Sequence, residues 1–382
     1  MHVLHVAPAF FPATAYGGPT FSLMGLCDAL ARAGVSLEVI CTDAAGPRRN
    51  VSDRRRHFPA GYEVRYCGSR LSGNLSPILP VEVARAVPRA DLIHMTGVYT
   101  AHVWSALVAT RITGKPMVWS PRGALQRWDG TSRRSIKDVW DRLARGLATP
   151  SRTILHATSA DEARQSELRF PELPTVVIPN GVELPPLVAR RDFMPAGTLR
   201  VMYLGRLHPI KALPNLVRAI ALSSPGVLLD VYGDGDSTYR DELLGLGREL
   251  GLERSVTFHG AVGGADKSRA FLAADVCVLP SHSENFGMAI AEALAHGIPV
   301  VASTGTPWSE LDARGVGRWV ENAPEQIAAA LSDLRHEDLG AMGRRARAWM
   351  EAEFSWDALA TRMLAVYASL LRKKAAVSHA KH

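Results

Sequence analysis

The 382-residue sequence has only four cysteines, Cys27, Cys41, Cys67 and Cys277, and none stands in a CxxC or other metal-ligand spacing. That speaks against a disulfide-stapled scaffold and a cysteine metal site, and reads as reduced core thiols in a cytoplasmic protein. No run of 18 or more apolar residues is present, so no transmembrane helix is expected. The opening "MHVLHVAPAFFPATAYGG" lacks the basic start and long apolar middle of a signal peptide, and reads as a strand followed by a loop. The GxGxxG fingerprint is missing, which argues against a dinucleotide cofactor and a nicotinamide oxidoreductase. Aromatic–basic interleaving and nucleic-acid motifs are missing too, so no nucleic-acid partner is expected.

Acidic residues are in short supply in one half only. Residues 1–185 carry 22 Lys/Arg against 15 Asp/Glu, whereas residues 186–382 carry 22 of each, so the whole net charge of +7 lies in the first half. Much of it falls in "PRRNVSDRRRHF" (47–58) and between Arg122 and Arg145. A solvated face explains such a surplus, and so does a surface that meets anionic lipid or an anionic acceptor.

What the sequence does have is two series of short apolar runs alternating with helical patterns. "HVLHVAP", "LEVICT", "EVRYCG", "DLIHMTG", "PMVWS", "TILHATS" and "TVVIPNG" form the first. "LRVMYLG", "VLLDVYG", "SVTFHG", "VCVLPS", "IPVVAS" and "GRWV" form the second. Continuous β-branched runs separated by helices predict parallel sheets buried on both faces, and two series predict two doubly wound α/β domains. The boundaries fall at 1–185 and 186–354, through the proline-bearing "VELPPLVARRDFMPAGT" (182–198), with a last amphipathic helix over 355–373.

Ligands of open parallel sheets bind beyond the carboxyl ends of the strands. After the first strand, Gly17-Gly18 precede a helix: a backbone open to close approach by an anion, or an ordinary loop. After "LRVMYLG", Arg206 and Lys211 offer a planar fork and a point charge, which suit a diphosphate but also describe two solvated loop cations. Gly233 and Gly235 point to close approach of a backbone or ligand. Asp234-Gly235-Asp236 spells a D-x-D, a metal signature, though aspartates before a helix also favour its N-terminus. "FHGAVGG" makes a flat wall suited to a base or a tight turn. In "LPSHSENFGMAIAEALAHG", Glu284 lies in the loop before a helix and Glu292 about a turn inside it. Carboxylates accept paired hydrogen bonds from a diol, and so read sugars. Backbone N–H groups near Gly287 to Ala289 suit an anion.

Taken together, Arg206 with Lys211, Gly233-Asp234-Gly235 and the E-x7-E spacing of Glu284 and Glu292 resemble the retaining, nucleotide-sugar-dependent glycosyltransferases of family 4. "HATSADE" (156–162), "IPNGV" (178–182) and "FSW" (354–356) match as well. "SPRGAL" (120–125) and "TPWSEL" (306–311) are similar to a branch that builds bacterial surface polysaccharides. The resemblance spans the chain and is strongest over 199–312. It implies a GT-B fold, two Rossmann-like domains facing across a cleft. The first would be acceptor-side, the second would bind the nucleotide sugar, and the last helix would cross back to the first.

By that resemblance Arg206 and Lys211 would hold the donor diphosphate, Glu284 the sugar hydroxyls and Glu292 the ribose. Backbone of Asn285, Phe286, Gly287, Met288 and Ala289 would lie near the sugar, Val262 would line the base, and Gly17 and Gly18 would close over the phosphates. Two departures stand out. Ala212 follows the lysine where glycine is usual, and Ser120-Pro121-Arg122-Gly123 stands where many relatives carry a histidine. Arg122, which cannot serve as a base, and His94 are the acceptor-side candidates. The expected reaction is metal- and cofactor-independent transfer of a hexose, with retention, to a glycan or lipid-linked acceptor. It would take place in the cytoplasm or at the inner face of the membrane. A sugar-nucleotide epimerase and a non-catalytic nucleotide-sugar sensor are the alternatives.

Overall fold

The computed structural model describes residues 1–16, 18–46, 49–69, 75–126, 134–186, 197–223 and 225–379. The chain divides into two units, 1–181 with 356–382, and 182–355. The division therefore falls before Val182 rather than at 185/186, and the last helix joins the first unit from Trp356.

The first unit runs β1 (His2–Ala7), α1 (Gly18–Arg32), β2 (Ser36–Thr42), a small β3–β4 hairpin (Ala44–Gly46, Arg49–Asn50), β5 (Arg55–His57) and β6 (Glu63–Cys67). It continues through α2 (Leu79–Ala86), β7 (Leu92–Thr96), α3 (His102–Thr113), β8 (Met117–Ser120), α4 (Arg134–Leu147), β9 (Thr153–Ala157), α5 (Ala160–Arg169) and β10 (Thr175–Val177). Its sheet has the order β10-β9-β8-β7-β1-β2-β6-β5, and strand order reverses between β1 and β7. All pairs are parallel except β5 with β6. Successive residues feed opposite cores: Val3 and Val39 pack with α1, Leu4 and Ile40 with α2 and α3. This two-sided burial is what continuous apolar runs require.

β5 was not expected. Arg55, Arg56 and His57 are exposed and pair antiparallel with β6, so a charged stretch closes the sheet edge. Charge on an edge strand discourages further pairing. Of the basic segment 47–58, Pro47 and Arg48 lie outside the described residues.

The second unit runs β11 (Leu199–Leu204), α6 (Leu213–Leu222), β12 (Val227–Tyr232), α7 (Ser237–Glu249), β13 (Val256–Gly260), α8 (Gly264–Ala273), β14 (Val276–Leu279) and α9 (Met288–Ala295). β15 (Val300–Ser303), β16 (Gly317–Val320), α10 (Pro324–Leu334) and α11 (Leu339–Trp349) complete it. Its sheet is wholly parallel, in the order β13-β12-β11-β14-β15-β16. The order reverses between β11 and β14, which opens a ligand crevice at their carboxyl ends.

The chain then leaves this unit through "FSW". Phe354 stacks on Trp308, with ring centroids 5.3 Å apart. Trp356 begins α12 (Trp356–His379) and lies against Gly25 and Gly181 of the first unit. A Cβ on either glycine would come within 2.3 Å of the indole. Leu359, Ala360, Met363, Tyr367 and Leu370 of α12 are buried in the core on the α1 side.

Candidate functional site

The loops after β11 and β14 carry the charges of the second unit's switch point. The β11 end runs beside the β12 end, with Gly205 N–H donating to Tyr232 O (3.0 Å) and Leu207 N–H to Asp234 O (2.9 Å). This closeness dictates the glycines. A Cβ on Gly233 (φ +144°) would lie 1.8 Å from Gly205 O, and one on Gly235 would lie 2.1 Å from Leu207 O. Gly233 thus serves backbone packing in this structure.

Asp236, the second aspartate of the D-x-D, accepts from Thr238 N–H (3.0 Å) and Tyr239 N–H (3.3 Å) and caps α7. Among the described residues no cluster of metal-ligating side chains is present.

Arg206 is exposed, and no described carboxylate pairs with it. Lys211 ends a 3₁₀ turn, Pro209–Lys211, capped by the His208 ring, which accepts from Ile210 N–H at 3.2 Å. Ala212 then adopts a left-handed conformation (φ 49°) as α6 begins. That conformation is why glycine suits this position: a Cβ is strained there.

Lys211 Nζ forms an ion pair with Glu284 Oε1, which also accepts from Ser281 Oγ at 2.9 Å. His282 N–H donates to Ile210 O (2.8 Å), tying the two loops together by backbone as well. Glu284 is therefore held by two side chains and by Gly305 O, which accepts its N–H at 2.9 Å.

Gly287 (φ +80°) is the N-cap of α9 and supplies no side-chain hydrogen bond there, at the positive end of the helix. Met288 and Ala289 form its first turn, and Asn285 is half-buried before it. Phe286 is different: its side chain is buried among Trp308 and Phe354, and its carbonyl accepts from Trp308 Nε1 at 2.5 Å. It anchors the loop and only its backbone remains at the site. Trp308 gives "TPWSEL" its structural role.

Glu292, on the second turn of α9, accepts from Lys267 Nζ at 2.7 Å. Lys267 lies on α8 and went unnoticed in the sequence, since nothing in "GGADKSRAF" marks it. Val262 is half-buried just beyond β13.

In the first unit Gly18 opens α1, while Gly17 lies outside the described residues. His94 has no exposed surface and cannot meet an acceptor as expected. It belongs to a buried chain of hydrogen bonds whose direction follows from its end. Ile178 O can only accept, so His156 Nε2 donates to it (2.8 Å) and His156 Nδ1 accepts from Ser120 Oγ (2.7 Å). Ser120 Oγ then accepts from His94 Nε2 (2.7 Å), and His94 Nδ1 accepts from Tyr367 Oη (2.5 Å). The His5 ring stacks on His94 at 4.3 Å. Burial, reinforced by the nearby Arg122 charge, lowers His5 and His156 to about 3 and His94 well below its ordinary value. All three rings are therefore neutral near pH 7.

Arg122 is half-buried in a left-handed conformation (φ 55°), and its Nη1 donates to Asn180 Oδ1 of "IPNGV". Its Nε is buried and lacks a partner. Gly123 N–H donates to Glu162 Oε1 (2.5 Å), whose Oε2 accepts from Thr158 N–H and Oγ1 (2.7 Å each). The "SPRG" and "HATSADE" loops are thus one hydrogen-bonded unit.

Known proteins divide where the structure does. Residues 17–181 match the family of glycosyl transferase 4-like domains, and residues 198–337 match the glycosyl transferases group 1. A D-inositol 3-phosphate glycosyltransferase of Kineococcus radiotolerans is 29% identical, with 98% of this chain and 95% of that protein covered. Its counterpart in Mycobacterium marinum is also 29% identical, covering 86% and 67%. Among solved structures, sucrose-phosphate synthase from Thermosynechococcus elongatus superposes with a TM-score of 0.74 at 21% identity, over 97% of this chain and 100% of that one. Anabaena HepE in complex with UDP-glucose gives 0.71 at 21% identity, over the same shares of the two chains.

Proposed function

The chain belongs to the group 1 glycosyl transferases and has their GT-B fold, and on that premise we propose a specific reaction for it. A hexose passes from a nucleoside-diphosphate sugar to a hydroxyl of a glycan or lipid-linked acceptor in polysaccharide biosynthesis, with retention and without a metal ion or cofactor. One observation carries the proposal: exposed Arg206 and the Lys211–Glu284 pair stand at the switch point of the second sheet, with Glu292 on the adjoining helix.

As the glycosidic bond breaks, negative charge grows on the leaving diphosphate. Arg206, Lys211 and the N-terminus of α9 stabilise it there, the role a metal ion plays in other transferases. Asp236 supports the metal-independent reading, because its carboxylate is committed to the α7 cap. Glu284, held by Lys211 and Ser281, accepts hydrogen bonds from the transferred sugar, and Glu292 from the ribose. Retention follows if the leaving phosphate takes the acceptor proton on the same face, a route that needs no second catalytic carboxylate, unlike glycosidases. Arg122 supplies a fixed positive charge for an anionic group of the acceptor.

The test is a screen of nucleoside-diphosphate sugars with EDTA present, UDP-glucose first because a structural relative is solved with it. Nucleoside diphosphate released only with acceptor, and a product whose anomeric configuration in NMR matches the donor, are expected. Inversion overturns the mechanism. Donor hydrolysis with epimer formation, or tight binding without any transfer, overturns the transferase reading for this chain's substrates.

The reading also puts the enzyme in the cytoplasm, against the inner face of the membrane. The observation favouring contact is α4, which packs Trp140, Ala144 and Leu147 inward and turns a second apolar stripe outward. Asp141 and Ala144 are buried, while Ile136, Val139 and Leu143 are 64%, 52% and 58% exposed. Arg142 and Arg145 flank that outward apolar stripe, a combination suited to an anionic interface. No helix among the described residues is long and apolar enough to cross a membrane. Sedimentation with phosphatidylglycerol vesicles should be lost in Val139→Asp. Equal sedimentation of that variant, or none of the wild type, rejects this contact.

A further inference from the structure

Each glutamate of the E-x7-E pair carries its own lysine. Lys211 reaches Glu284 from the loop after β11, and Lys267 reaches Glu292 from α8 at 2.7 Å. A carboxylate that reads hydroxyls beside a diphosphate faces a difficulty, because like charges repel. An ammonium bonded to one oxygen offsets that repulsion. It also fixes the rotamer, and a carboxylate with about four acceptor sites still has room for two hydroxyls.

The placement of Lys267 is not that of a casual surface pair. Its side chain and that of Glu292 are 32% and 21% exposed, and the two lie on different helices. α8 is keyed to α9 next to the pair: His296 Nε2 and Ser268 Oγ lie 3.2 Å apart, and the His296 ring stacks on Phe271 with centroids 4.6 Å apart. His296 Nδ1 in turn donates to Glu292 O at 2.7 Å, so Nε2 of the neutral ring accepts from Ser268.

We propose that Lys267 is a positioning residue for nucleotide recognition: it holds the Glu292 carboxylate in place and aimed at the ribose, and so sets the preference for a ribonucleotide donor. The proposal rests on the reading of Glu292 as the ribose contact. Lys267 itself touches the carboxylate, and acts on the nucleotide through it.

Calorimetry with UDP, GDP, ADP and CDP identifies the tightest-binding nucleoside diphosphate, which is then compared with its 2′-deoxy form. Wild type should prefer the ribo form by about tenfold or more, the worth of a hydrogen bond to a charged group. Lys267→Met should shrink that preference to about threefold or less, with little change in Tm, and Lys267→Arg should restore it. In a Glu292→Gln background, Lys267→Met should change affinity no further, since its partner charge is gone. A Lys267→Met protein that keeps the wild-type ribose preference overturns the inference. So does equal weakening by Lys267→Met in both backgrounds. If wild type shows no ribose preference, or Glu292→Gln retains it, the reading of Glu292 fails instead. Binding of none of the four diphosphates contradicts the donor assignment itself.

Discussion

Lys211 and Glu284 form an ion pair between the loops that follow β11 and β14, the two strands on either side of the switch point in the second sheet. The pair decides what Glu284 can do. A carboxylate bonded to an ammonium and to Ser281 Oγ is a fixed acceptor. Under the proposed reaction it would orient the sugar and keep Lys211 near the leaving diphosphate.

Removing the D-x-D carboxylate tests the metal-independent reading. Asp236→Ala should cost about 1 kcal/mol of stability through the lost α7 cap, and activity should persist with EDTA present. Activity abolished by EDTA and restored by Mn²⁺ would favour the metal reading.

Ala212→Gly should stabilise the protein. Ala212 holds φ 49°, where a Cβ costs about 1 kcal/mol or more. A rise in Tm of about 2 °C or more is expected for the transition of a unit the size of 182–355, read by calorimetry; a fall would show that the small buried methyl outweighs the strain.

Gly25→Ala and Gly181→Ala should each destabilise the first unit by about 2 kcal/mol or more, because the added methyl meets the Trp356 indole at 2.3 Å. Hydrogen exchange should show α12 losing protection. Unchanged protection in both variants would contradict the packing of Trp356.

Stability should decline on acidification below about pH 6.5. His5 and His156 are lowered to about 3 and His102 to about 4, chiefly by burial. In the unfolded chain each protonates near its ordinary value, so between about 6.5 and 3 the unfolded state binds more protons and stability rises with pH. Each histidine contributes at most roughly 1.4 kcal/mol per pH unit within that window. Denaturant midpoints at pH 7 and pH 5 should therefore differ, pH 7 being higher. His156→Asn should flatten the difference, and an equal midpoint at both pH values would reject the buried neutral network.

The elements legible in the sequence were those whose signal is local. "VCVL" and "VVAS" are buried at every position, and continuous β-branched runs announce such strands by themselves. β5 had no such signal, because Arg55–His57 is polar on both faces and forms a strand only through its pairing with β6. His94 looked like a polar group at a strand end. Its partner Tyr367 is 273 residues away, so its burial could not be read locally. Phe286 belongs to a site motif yet packs inward, since Trp308 lies 22 residues downstream. Lys267 was invisible for the same reason: its significance lies in Glu292, 25 residues away and on another helix. Spacing along the chain revealed Arg206, Lys211 and the two glutamates together, whereas the pairing among them required the fold.

The most direct test of the account is the steady-state kinetics of donor use by Arg206→Ala and Lys211→Ala, with the best nucleotide sugar from the screen. If each cation supplies ~3 kcal/mol to the developing diphosphate charge, kcat/KM should fall by roughly 10²-fold or more in each variant. Near-normal kcat/KM in both would contradict the placement of the diphosphate at the switch point of the second sheet, and with it the proposed mechanism.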